Sequence, residues 1–146
     1  MQKDKIRRLP PLLRSCWIKL NTAFQKRLLP FGITPDQYTA LRWIYERDSK
    51  ETNQVTLAAL MFTDANNISS LLSRMVKSGL VERMVSSSDH RMKYLKLTPA
   101  GLKKFKATRP VALSLEKEVL TGLNSADKET FLPLLNRLSS YLHHST

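Results

Sequence analysis

Between Asp64 and Gly101 the apolar period of the chain changes twice, from about 3.6 to about two and back again, and few folds can hold such a stretch. Placed at intervals of about 100°, Ile68, Leu71, Leu72 and Met75 share one helical face. Asn66, Ser70, Ser73 and Lys77 lie opposite, with Asn67, Ser69 and Arg74 on the flanks. The helix is expected to stop at Gly79. From there Val81, Arg83 and Val85 alternate with Leu80, Glu82 and Met84. Beyond the tip Ser86-Ser87-Ser88-Asp89-His90-Arg91, Lys93, Leu95 and Leu97 alternate with Met92, Tyr94 and Lys96, so the spacing predicts a two-stranded ribbon. Thr98-Pro99-Ala100-Gly101 restarts a helix with a cap residue followed by proline. The expected fold class is mainly α with a small β wing.

The flanking segments read as helices. A first one, from near Pro11 and ending by Gly32, carries Leu13, Trp17, Leu20, Phe24 and Leu28. Thr34-Pro35-Asp36-Gln37 is the best-marked helix start, an N-cap Thr with a Gln three residues on that closes a capping box. That helix runs through Tyr38, Leu41, Ile44 and Tyr45 to a polar stretch, Asp48 to Asn53. A short helix follows, capped by Asn53, with Leu57, Leu60 and Met61 inward. Only Phe62 and Thr63 separate it from the start at Asp64, which forces an angled helix pair of the helix-turn-helix kind. After Thr98 the helix bearing Leu102, Phe105, Ala112, Leu115 and Val119 is expected to bend or break at Pro110. Asn124 and Asp127 mark a last helix, kinked at Pro133, whose stripe of Phe131, Leu134, Leu135, Leu138, Tyr141 and Leu142 is longer than a small core needs.

At 146 residues and 42% hydrophobic content the chain suits one domain, 1–146. The net charge of +12 draws it to polyanions, nucleic acid or anionic lipid. Seven of the cations (91, 93, 96, 103, 104, 106 and 109) follow His90 with no Asp or Glu among them through Arg109, which makes the segment after the ribbon tip one-signed. A membrane is disfavoured: there is no apolar run of about 18 residues, and the polar face of the 64–79 helix lacks the large apolar residues an interfacial helix needs. The start, Met1 to Arg8, is charged and leads into Pro10-Pro11 rather than an apolar signal core, so the expected location is the cytoplasm. Small Ser and Asn side chains let a helix backbone approach base edges closely, and Asn can bond adenine through two hydrogen bonds. The expected partner is double-stranded DNA; an RNA-binding winged helix is the alternative, with no need for long terminal stripes. No nucleophile, base and orienter set and no phosphate-binding Gly loop occurs, so catalysis has no candidate residues. His90, His143 and His144 have no metal-ligand company, and no metal or cofactor is expected.

Helix, helix, helix-turn-helix, ribbon, helix, helix is an order that resembles the MarR family of bacterial winged-helix regulators over nearly the full chain. Thr34-Pro35-Asp36-Gln37-Tyr38 looks like that family's second-helix start. Leu72-Ser73-Arg74-Met75 through Gly79-Leu80-Val81-Glu82-Arg83 looks like its recognition helix and first wing strand. Asp89-His90-Arg91, with His90 seven residues ahead of Leu97-Thr98-Pro99-Ala100-Gly101, looks like its wing signature and fifth-helix start. Each motif is short; their order and spacing together are specific. The resemblance implies a winged lobe at about 34–98 and a helical dimerisation region at about 9–31 and 99–146. It also implies a homodimer docking on a pseudo-palindromic operator, and repression relieved by a small-molecule effector, phenolic or anionic.

Expected DNA contacts follow. Asn66, Asn67, Ser69, Ser70 and Ser73 are placed at bases or phosphates, and Arg74 and Lys77 at phosphates. In the wing, Ser88, Asp89, Arg91 and Lys93 are candidates, with Arg91 entering the minor groove and Asp89 holding its guanidinium. The plain alternative for Asp89 and Arg91 is a local turn ion pair. Arg83 resembles a position that braces the wing. Trp17, Phe24, Tyr38, Arg42 and Trp43 are the ligand-cleft candidates, although aromatics at helical spacing are more often core. Cys16 cannot form an internal disulfide and reads as packing; redox sensing through it is an alternative that the cysteine placement of peroxide-sensing relatives disfavours.

Overall fold

The computed structural model describes residues 8–47 and 50–145, so the charged start at 1–7, Asp48 in the polar stretch and the His144 side chain lie outside the described residues. The helices are α1 (Leu9–Leu28), α2 (Pro35–Glu46), α3 (Gln54–Leu60), α4 (Ala65–Lys77), α5 (Pro99–Leu120) and α6 (Ser125–Ser145), with strands β1 (Val81–Val85) and β2 (Lys93–Leu97) between α4 and α5. Two compact units divide inside α5, one ending at Val111 and the other beginning at Ala112. Among the described residues no helix is long and apolar enough to cross a membrane.

In the first unit local signals set the helix ends. Helix α1 starts two residues ahead of Pro11, because Pro10 and Pro11 sit in a first turn whose N–H groups have no helical partner anyway. A short 3-10 turn at Leu29–Phe31 follows, and Gly32 (φ 70°) ends it. The capping box of α2 is complete: Gln37 N–H donates to Thr34 Oγ1 (3.2 Å) and Thr34 N–H to Gln37 Oε1 (3.0 Å). Asn53 caps α3 by accepting from Thr56 N–H (2.8 Å), and Asp64 caps α4 by accepting from Asn67 N–H (2.8 Å). Helix α4 ends in a Schellman turn in which Gly79 (φ 77°) donates to the Val76 carbonyl and Leu80 N–H to that of Met75.

The turn between α3 and α4 uses the same device with a bulky residue. Phe62 adopts φ 53°, its N–H donates to the Ala59 carbonyl, and Thr63 N–H reaches that of Ala58. Glycine is the usual occupant, since a Cβ in this conformation costs about 1–2 kcal/mol. The Phe62 side chain is 85% exposed and buries little in return. Phe62→Gly is therefore expected to raise stability by up to about 1 kcal/mol, read as a higher melting temperature of about 2–4 °C. A lower one would mean that the ring has a partner.

An aromatic cluster joins α1, α2 and α5: Phe24 meets Tyr38 edge-on (5.2 Å between centroids), and Phe105 stacks on Tyr38 (5.9 Å) and lies against Tyr45 (4.7 Å). Around it Leu28, Leu41, Ile44 and Leu57 are buried, and Ile68, Leu71, Leu72 and Met75 bury the inner face of α4 as their spacing predicts. The strands pair antiparallel in the register Val81↔Leu97, Arg83↔Leu95 and Val85↔Lys93. Only Val81 and Leu95 are buried in the ribbon, and Val85 is exposed. The expected alternation is lost toward the tip, since a two-stranded ribbon that projects from the core has nothing to cover either face. Thr52, itself buried, ties the middle of β2 to the chain ahead of α3: its carbonyl accepts from Leu95 N–H (2.8 Å) and its Oγ1 from Arg47 Nε (3.1 Å).

Of the bend or break expected at Pro110, the break does not occur: α5 is continuous through it, because one missing N–H leaves the neighbouring helical bonds in place. The second unit contains the end of α5 and α6. Asn124 caps α6 by accepting from Asp127 N–H (2.9 Å), and α6 likewise runs on through Pro133. Phe131, Leu132, Leu134, Leu135, Tyr141 and Leu142 are exposed, the surplus apolar surface that the sequence predicts. In the first unit Leu9, Leu12, Leu13, Trp17, Ile18 and Leu20 of α1 are exposed too. So is Cys16, where its reading as packing calls for burial.

Candidate nucleic-acid interface

The reader face of α4 is built as its spacing predicts. Asn66, Asn67, Ser69, Ser70, Ser73, Arg74 and Lys77 are all exposed on a helix whose other side is packed. The Asn67 amide is held by the helix cap, Nδ2 donating to Asp64 Oδ2 (3.2 Å), which fixes its direction at the N-terminal end of α4. Arg74 and Lys77 occupy the last turn, where the helix dipole favours cations and where they flank the row of small side chains.

The ribbon carries the second part. Asp89 Oδ1 accepts from Arg91 N–H (3.0 Å) and lies 3.8 Å from Arg91 Nε, while the Arg91 side chain is 95% exposed. The pair that the sequence suggests is present, and the guanidinium reaches outward from it. Ser88 and Lys93 are exposed at the tip and on β2. Lys104, counted with the cations that follow the ribbon, is spent structurally: its Nζ donates to the Phe31 carbonyl (2.7 Å), closing the 3-10 turn. Arg83 is exposed on β1 opposite Leu95.

Sequence reasoning missed the residue that fastens this tip. Glu51 lies just ahead of α3, in a stretch that reads only as polar. Its carboxylate accepts from the Ser86 hydroxyl, and from Ser87 N–H (3.4 Å) and Ser87 Oγ (3.3 Å). The Ser86 bond, chiefly, holds the Glu51 carboxyl below the usual carboxylate range against an opposing desolvation, with the Ser87 bonds assisting. Ser86 is buried, and its Oγ also accepts from Ser88 N–H (3.3 Å) and Asp89 N–H (3.4 Å) and sits 3.0 Å from Ser88 Oγ. The Ser86 hydrogen points to Glu51, and its oxygen gathers the polar groups of the tip. No spacing rule could have paired positions 51 and 86.

The ligand-cleft candidates are not brought together. Phe24 and Tyr38 belong to the aromatic core, where a ligand would have to displace packed rings. Arg42 lies over Trp43 (4.7 Å to the ring centroid) and pairs with Glu46 (3.9 Å) on the half-exposed side of α2. Trp17 alone lines a cleft of about 610 Å³, with Thr34, Asp36 and Gln37 from the start of α2, Met61, Phe62 and Thr63 from the turn, and Asn67, Ser70, Leu71 and Arg74 from α4. One wall of this cleft is thus the reader helix itself.

A tight helix pair, an exposed reader helix and a two-stranded wing with an arginine at its tip define a winged helix-turn-helix protein. The comparisons agree. A sequence profile of the MarR family matches residues 31–92. The transcriptional regulator HosA of Escherichia coli is 30% identical over 118 residues, covering 81% of this chain and 85% of HosA. The chain belongs to the MarR family of winged helix-turn-helix transcriptional regulators. Among solved structures, Staphylococcus aureus MepR in its DNA complex superposes with a TM-score of 0.85 at 22% identity, over 92% of this chain and 96% of that one. A variant of Escherichia coli MarR complexed with operator DNA gives 0.81 at 26% identity, with the same coverage.

Proposed function

We propose that this protein is a cytoplasmic, homodimeric, sequence-specific repressor that binds double-stranded DNA and is released by a small-molecule effector. The observation that carries this reading is the pairing of a small-residue reader face on α4 with an outward, aspartate-held arginine at the wing tip. The helix enters a major groove and reads bases through Asn66, Asn67, Ser69, Ser70 and Ser73. Arg74, Lys77 and Lys93 neutralise phosphates, and Arg91 occupies the adjacent minor groove, with Ser88 and Asp89 shaping the tip. Dimerisation through α1 and the α5–α6 region covers the exposed apolar residues of those helices, which supports a two-fold assembly on half-sites about 10 bp, about 34 Å, apart. The cleft lined by Trp17, Asp36 and Arg74 is a candidate seat for a phenolic or anionic effector, and its shared wall with α4 lets an occupant disturb the reader face directly.

Selection of bound duplexes from a random library, followed by a salt titration on the selected duplex, tests the reading. A dimer that contacts about 6–10 phosphates should lose about 10³–10⁵ in affinity between about 50 and 200 mM salt. Enrichment of an inverted repeat with that slope is the expected result. A flat response, no enriched sequence, or preference for structured RNA would overturn it.

A further inference from the structure

We propose that Glu51 is a positioning residue for the wing, fixing through the Ser86 hydroxyl the turn that presents Arg91 to DNA. The inference rests on the groove contact assigned to Arg91 above. It begins from an electrostatic oddity: an acid beside a cationic wing repels phosphate, and on charge alone the position would favour any neutral residue. The hydrogen bonds give the acid a use. Val81 and Leu95 pack the base and the middle of the ribbon and Met84 and Tyr94 are half-buried, while Val85 and Met92 next to the tip are exposed. The turn itself, residues 86–92, buries no apolar side chain, so its direction depends on polar ties. These form one chain: the Glu51 carboxylate takes the Ser86 hydrogen, the Ser86 oxygen receives Ser88 and Asp89 N–H, and the Asp89 carboxylate receives Arg91 N–H and faces its guanidinium. A carboxylate makes the first link charge-assisted and about twice as strong as a neutral acceptor would. Thr52, the next residue, is fixed to β2 by its carbonyl and to Arg47, just past the end of α2, by its hydroxyl, so Glu51 starts from an anchored backbone.

Charge and position predict opposite signs, which makes the inference testable. Binding of the wild-type-selected duplex by Glu51→Ala, Glu51→Gln, Ser86→Ala, Arg91→Ala and the Glu51→Ala/Arg91→Ala pair would be measured by fluorescence anisotropy, with melting temperatures alongside. Glu51→Ala is expected to weaken binding by about tenfold, Ser86→Ala by a similar factor and Glu51→Gln by less, all with melting close to wild type. In the Arg91→Ala background the Glu51 change should no longer weaken binding, since the group it positions is gone. Unchanged or tighter binding by both Glu51→Ala and Ser86→Ala, while Arg91→Ala binds weakly, would overturn this inference and leave the wing contact standing. So would a Glu51 effect that persists undiminished without Arg91. Wild-type affinity in Arg91→Ala would instead remove the wing contact, and the positioning role with it.

Discussion

Gly101→Ala should destabilise the protein by about 3 kcal/mol or more, lowering the melting temperature by about 10 °C. A methyl group there would stand 1.9 Å from the Leu80 carbonyl oxygen and 2.9 Å from its carbon, backbone atoms that no side-chain rotation can move aside. The same spot is pinned from other directions. Thr98 N–H donates to the Leu80 carbonyl (3.1 Å), Thr98 Oγ1 donates to that of Gly79, and Gly101 N–H returns to Thr98 Oγ1 (3.0 Å). The first turn of α5 therefore rests directly on the link between α4 and β1, and a side chain would pry the wing from the next helix. Alanine's better helix propensity offsets only about 1 kcal/mol of this. The control is the same change at Gly122, where the nearest atom, the Val119 carbonyl oxygen, is an ordinary 3.4 Å away. Thermal unfolding of the two variants decides: a Gly101→Ala protein that melts like Gly122→Ala would contradict the close approach.

This contact also shows which parts of the fold can be read from sequence. Thr34 with Gln37, the helix start at Asp64 and the stop at Gly79 act within one turn of chain, so their spacing carries the whole of their physics, and the structure agrees with each. The buried face of α4 is legible for the same reason. By its neighbours Gly101 reads as part of a helix start; that its missing side chain makes room for Leu80 depends on how two distant turns meet. Phe62 gave no sign of its left-handed conformation, because a bulky aromatic is the wrong residue to advertise one. Periodicity was equally silent on which aromatics are core. Phe24 and Trp17 share a helix and a spacing, yet only contacts with α2 and α5 distinguish a packed ring from one lining a cleft.

For the residues proposed to face DNA the division is similar. Reader-face residues are those left over once the apolar stripe of α4 is assigned, and the Asp89–Arg91 pair is two residues apart, so both are local. Glu51 and Ser86 meet across 35 positions and Lys104 meets Phe31 across 73, distances over which a single sequence offers no pattern. One consequence bears on function: the count of cations after His90 overstates the charge free to meet phosphate, since Lys104 is committed to the fold.

Arg91→Ala should weaken operator binding by about 10² or more while dimer formation and melting stay as in the wild type. An arginine held in a groove contributes about 1–3 kcal/mol, and the proposed two-fold dimer would lose it twice. Stability is spared because the side chain is 95% exposed and its one ion pair, at 3.8 Å from Asp89, is of the surface kind that adds little to folding. The loss should have two signatures beyond its size. The slope of log affinity against log salt should shrink by about two, one released counterion for each missing guanidinium. Arg91→Lys should restore the slope but only part of the affinity, because an ammonium is more strongly hydrated than a guanidinium and gives up more water on entering a narrow groove. Anisotropy titrations at three or four salt concentrations separate these outcomes, and wild-type affinity in Arg91→Ala would leave recognition to α4 alone.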